Sequence, residues 1–233
     1  MKEFFKRMFL TVAVVALPVV EAPAAPAYNG DLIIGFTAGS GNDLEYDLGN
    51  AAALTDGETF PALTALLGSY TPSTLHWGII GNTLNGVGGA ADNQVYTTTS
   101  GSTILPGSVN QTIYNGVFNA TKGVYGLFPA AGAGQHTSPS IGLANSWYAQ
   151  TVSPTLTTQY KNAYESPNVF GTGSAVLWSV DTQGGPTVEL GNFTLDGSGG
   201  VTFTSAVPEP TTCTLITLAG LVGLCFRRQG RNA

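Results

Sequence analysis

Three acidic side chains alternate along one short stretch: Asp43, Glu45 and Asp47, with Leu44, Tyr46 and Leu48 between them. On an extended chain this spacing puts the carboxylates about 7 Å apart on one face. Calcium takes oxygen ligands of this kind, bridged to loop carbonyls, and it is the one cofactor that the sequence suggests. The spacing departs from an EF-hand loop, because Leu48 stands at the glycine position and Leu54 at that of the final acid. The simpler reading, adopted here, is the solvated polar face of an amphipathic strand. The two histidines, His76 and His136, form no His-x-x-x-His pair and have no cysteine near them. No Gly-x-Ser-x-Gly elbow is present, so neither histidine has a nucleophile marked for it. Nothing supports the facing carboxylates of a glycosidase, and no enzymatic activity is expected.

Rings offer a second chemistry. Trp77, Tyr96, Tyr114, Tyr125, Trp147, Tyr148, Tyr160, Tyr164 and Trp178 include several in Gly/Asn/Thr-rich surroundings. An exposed ring stacks on a sugar while neighbouring amides bind its hydroxyls; core packing accounts for most such residues. The glycine runs at 86–89 and 197–200 follow neither the dinucleotide nor the P-loop spacing and read as turns.

The elements that would position these residues are mostly strands. Residues 31–36 form an apolar run after Asn29-Gly30 and read as a buried strand, and 43–48 as a surface strand of period two. Residues 76–81, 94–99, 174–180, 189–195 and 200–205 read as further strands, with Asp196-Gly197-Ser198-Gly199 as a hairpin turn. Residues 112–114 and 117–118 are weaker strand candidates. Phe60, Leu63, Leu66 and Leu67 repeat at helical spacing, with Pro61 in the first turn and Asp56 or Thr59 as cap. Ser138-Pro139 and Ser153-Pro154 start short helices near 140–149 and 154–165. No βαβ series appears. The expected fold is all-β or mainly β: an antiparallel β-sandwich or jelly-roll-like domain with two or three short helices, plus a C-terminal hydrophobic helix.

Composition restricts the function classes. Charged residues make up 9% of the 233, and 31 are glycine. Mean hydropathy is +0.16, which argues against a disordered chain. Charge is also segregated. Lys2, Lys6 and Arg7 open the chain and Arg227, Arg228 and Arg231 close it; only Lys122 and Lys161 lie between Tyr28 and Ala206. Against eleven acids in that stretch they leave a formal charge of −9, which excludes a nucleic-acid partner.

The N-terminus has the parts of a secretory signal. A basic start precedes the apolar run Met8–Val20, and Ala25 and Ala27 supply the small residues that signal peptidase requires. Thirteen apolar residues make about 20 Å of helix, too short for a ~30 Å hydrocarbon core. Residues 1–27 are therefore read as a signal peptide and 28–206 as the exported domain. The body has no cysteine: Cys213 and Cys225 both lie in the apolar run 211–226. At about 18 Å apart on a helix they cannot pair.

The other end is more specific. Val207-Pro208-Glu209-Pro210 precedes sixteen uncharged residues, Thr211–Phe226, and then Arg227-Arg228. Pro210 disfavours helix at Glu209, so a helix begins only after it. The arginines act as a membrane stop at the inner interface. Residues 207–233 resemble the PEP-CTERM sorting signal of Gram-negative bacteria in order, spacing and terminal position. The resemblance implies recognition by an exosortase, a transient inner-membrane intermediate, and delivery to the cell surface or extracellular matrix of exopolysaccharide-making, biofilm-forming bacteria. The function expected is a non-enzymatic envelope or matrix protein, with an exopolysaccharide-binding module as the alternative and a polysaccharide-acting enzyme behind both.

Overall fold

The computed structural model describes residues 29–83, 94–100, 111–129, 132–152, 169–180 and 186–206. Nine strands form one wholly antiparallel sheet: β1 (Asn29–Thr37), β2 (Leu44–Asn50), β3 (His76–Thr83), β4 (Val95–Ser100), β5 (His136–Thr137), β6 (Val169–Phe170), β7 (Gly173–Val180), β8 (Thr187–Leu195) and β9 (Val201–Ser205). The order is β5-β2-β1-β3-β4-β7-β8-β9, with β6 paired to the start of β3. Among the described residues two α-helices accompany it, α1 (Pro61–Leu67) and α2 (Gln111–Tyr125).

The fold is mainly antiparallel β, with one continuous ladder in place of two stacked sheets. The sheet curls, because side chains from its distant strands share one core. Leu32, Ile34 and Phe36 of β1 and Leu44, Tyr46 and Leu48 of β2 join Phe193, Leu195, Val201 and Phe203 of β8 and β9. The Phe193 and Phe203 rings lie 4.9 Å apart. α1 stoppers this concave core with Leu63 and Leu67. Pro61 starts α1 at a position where no N–H is needed. Its N-cap is Phe60, without a side-chain cap; Asp56, one of the expected caps, instead accepts from the Ser205 N–H.

Both edges of the sheet are covered. Residues 57–60 run beside β9, exchanging bonds between Gly57 N–H and Phe203 O (3.0 Å) and between Phe203 N–H and Glu58 O (2.8 Å). Residues 134–140 run beside β2, where Asp47 N–H reaches Gln135 O (2.9 Å) and Asp43 N–H reaches Pro139 O (2.8 Å). Short irregular covers of this kind block the edge-to-edge pairing that open strands invite.

The convex face carries a second core of Ile33, Ile80, Val95, Val176 and Trp178 beneath α2. Here one expectation fails: residues 112–114 and 117–118 are not strands but lie within α2. Val117, Thr121, Val124 and Tyr125 recur at intervals of four, three and one, and all are buried, which is the stripe of a helix on a sheet. The helix expected near 140–149 is replaced by successive turns leading into a π-helical turn, Tyr148–Val152. The expected helices at 154–165 and in the C-terminal apolar run lie outside the described residues.

Candidate functional site

The acidic stretch is the most unusual local chemistry of the body. Asp43, Glu45 and Asp47 are all 0% exposed, which corrects the expectation of a solvated polar face. β2 is a strand buried on both sides. Its apolar side enters the concave core, and its acidic side lies under the segment 132–152. Trp147 is the cover: its ring packs against Gly35 of β1, where an added Cβ would overlap it. A glycine inside an otherwise bulky strand marks such a close approach.

Asp43 and Glu45 hold backbone that no ladder holds, and Asp47 turns back onto its own strand. Glu45 Oε1 accepts the Trp147 N–H at 2.7 Å. Asp43 Oδ2 accepts the Tyr148 N–H at 2.7 Å, and Asp47 Oδ1 accepts the Gly49 N–H at 2.7 Å. The Tyr125 hydroxyl at the end of α2 donates to Asp47 Oδ2 at 3.4 Å and also meets Asp31 of β1. The group thus ties an irregular segment and one helix end to the convex face. Asp31 and Tyr125 were not recognisable as partners in the sequence, because only the packing of α2 on the sheet brings Tyr125 to β1 and β2. Gly35 was the available signal for Trp147.

Burial sets the electrostatics. Loss of water pushes the Glu45 carboxyl up to about 9, against the Trp147 N–H that favours its charged form and with the Asp43 charge adding to the rise. Desolvation likewise raises Asp43, Asp47 and Asp31 above the usual carboxylate range. At neutral pH Glu45 is therefore a neutral acid. Tyr125 is raised as well, first by burial and then by the adjacent Asp47 and Asp31 charges. Among the described residues no three His, Cys, Asp or Glu side chains are arranged to hold a metal ion.

The other candidates disperse. His136 lies exposed in β5 on the edge of β2, and His76 starts β3, three strands away in the sheet order, with its pKa lowered by burial. Trp77, Tyr96, Tyr125, Trp147 and Trp178 are core residues. The Trp77 and Trp178 indoles donate to Gly171 O and Thr99 Oγ1, both at 2.9 Å. Tyr114 and Tyr148 are half-buried; Tyr160 and Tyr164 lie outside the described residues. A groove of about 310 Å3 opens between Ala51, Ala52, Gln94, Tyr96, Ser179, Val188 and Leu190.

At the C-terminus β9 stays in the sheet to its last residues. Ser205 faces Gly191, and the Ala206 N–H donates to Leu190 O at 2.9 Å. Val207, Pro208, Glu209, Pro210, Arg227 and Arg228 follow outside the described residues, as do Ala25 and Ala27 at the other end. No helix among the described residues is long and apolar enough to cross a membrane.

The fold thus defines a mainly antiparallel β protein, and its last described residue, Ala206, directly precedes the proline-bracketed acid motif. Residues 206–229 match the family described as the PEP-CTERM protein-sorting motif. The chain is an exported protein, sorted by an exosortase-like system, that passes the membrane to the cell surface. No curated protein and no solved structure matches it.

Proposed function

We propose that residues 28–206 form a non-enzymatic envelope or matrix protein, freed from a signal peptide at Ala27 and processed within or beside Val207–Pro210. One observation carries the reading: the carboxylates with the spacing for chemistry are buried and bonded to backbone amides. Asp43 and Glu45 hold the segment 132–152 to the sheet through the Tyr148 and Trp147 amides, and Asp47 through the Gly132 amide, which is a structural use of acid groups.

Intact mass of the protein recovered from the cell surface or medium tests the proposal. Loss of residues 1–27 and of the apolar tail is the expected result, and a full-length chain confined to the cytoplasm overturns it. Electrophoresis through gels containing the host's own polysaccharides tests the alternative. Unretarded migration is expected; retardation would replace the structural reading with a carbohydrate-binding one.

A further inference from the structure

The two ends of the body leave it together. Asn29 of β1 faces Thr83 of β3, Asn82 faces Val95 of β4, and Val95 faces Val180 of β7. Val180 in turn faces Thr187 of β8, and Gly191 of β8 faces Ser205. Followed across the sheet, these pairs put the start of β1 and the end of β9 at one end of the curl. The groove between Ala51 and Ala52, in the short 3-10 turn Ala51–Ala53 that follows β2, and the strand residues Tyr96, Val188 and Leu190 lies at that same end. Strand β8 overhangs there: Thr187, Val188 and Glu189 pair with β7 but lie beyond the last β9 pair, Gly191 with Ser205. Val188 is 51% exposed, one of two large apolar side chains so exposed among the described residues.

Tether length gives this end a partner. Four residues separate Ala206 from Thr211, the first of the apolar run. Fully extended, the step from Ala206 to Thr211 spans at most about 18 Å. The headgroup layer on one side of a bilayer takes up roughly 5–7 Å of it. An enzyme that sits in the membrane and grips Pro208-Glu209-Pro210 therefore has only about 10 Å before it meets the body. Pro208 and Pro210 also lack the N–H groups that would extend β9 along the β8 overhang.

We propose that this end of the sheet, centred on Val188 with Ala52 and the groove beside it, is the docking surface for the membrane-embedded processing enzyme. The inference rests on the sorting reading above. A bare lipid surface fits less well, because the body carries a formal charge of −9 and anionic headgroups repel it.

The test follows conversion of the full chain from precursor to mature mass in its own host. Val188→Glu combined with Ala52→Glu is expected to slow conversion about five-fold or more, the scale of a central interface residue. Leu143→Glu, on the exposed part of the segment 132–152, is expected to leave the rate unchanged. Circular dichroism of each purified variant confirms the native sheet. The variant Glu209→Ala reports separately on sorting. If it blocks processing while the Val188/Ala52 variant matures normally, the docking surface is overturned and the sorting reading stands. If Glu209→Ala itself matures normally, the sorting reading fails. Cosedimentation of the mature body with anionic vesicles, abolished by Val188→Glu, would assign the surface to lipid and overturn the enzyme as its partner.

Discussion

Two acid-bearing regions of the body solve the same problem under opposite conditions. In the β8–β9 turn Asp196 is exposed, and its Oδ1 accepts from the Ser198 N–H (2.8 Å), the Ser198 hydroxyl (2.6 Å) and the Gly200 N–H (2.8 Å). Those bonds hold its carboxyl below the usual range. On β2, Glu45 makes the same kind of bond, to the Trp147 N–H, yet its carboxyl is raised to about 9. Water decides the sign. An exposed carboxylate keeps its hydration and gains donors, whereas a buried one loses more hydration than one amide returns.

Removing the cover should break the comparison most severely. Trp147→Ala is expected to lower unfolding free energy by about 3–5 kcal/mol in urea titrations, and to bring the Glu45 carboxyl back toward its ordinary value by carboxyl-carbon NMR. An unchanged Glu45 titration would mean that burial under Trp147 is not its cause.

The pH dependence sharpens the same contrast. For a carboxyl raised on folding, the folded state holds its proton where the unfolded state has lost it. The contribution of Glu45 is therefore fully present below its unfolded value of 4.5 and declines as pH rises toward about 9. The slope approaches about 1.4 kcal/mol per pH unit. Asp43, Asp47 and Asp31 act in the same direction. Denaturation midpoints should fall steadily from mildly acidic to alkaline pH. Glu45→Gln should flatten that fall without abolishing it, and an equal slope in the variant would remove Glu45 from the account.

Tyr125→Phe deletes the hydroxyl that meets Asp47 and Asp31, and about 1–2 kcal/mol of stability should go with it. Hydrogen exchange should rise first at the end of α2; uniform exchange across the body would count against a local tie. The smallest effect belongs to Asp196→Ala, with a slight drop in melting temperature at neutral pH. Since the carboxyl of Asp196 is lowered on folding, its contribution exists above the ordinary value and is lost on acidification. The variant and the parent should therefore melt alike in strong acid, and a difference that persists there would refute the charged turn.

Legibility along the chain followed the range of the interactions. Asp196-Gly197-Ser198-Gly199 was readable as a hairpin because its bonds span at most four residues and Gly199 takes a positive φ of 84°. The strand at 43–48 was readable from its alternation, but its acidic face was assigned to water. Alternation reports that two faces differ, and polar side chains ordinarily face solvent. The 112–118 region was misread because Thr, Ile, Tyr, Val and Phe favour strands locally, while packing against β3 and β4 selected the helix.

The sequence by itself determined the export: the Pro-Glu-Pro bracket, the apolar run and the basic end that follow the body are a one-dimensional signal, read by machinery that meets the chain as a string. It also determined the strand-rich class, through period and turn residues. Only the tertiary structure decided which acids are charged and where the ends emerge. Burial of β2 depends on Trp147, about a hundred residues away, and the placing of the start of β1 and the end of β9 at one end of the sheet depends on how the strands pair. Dielectric and topology are properties of the assembled sheet, so no local pattern can carry them.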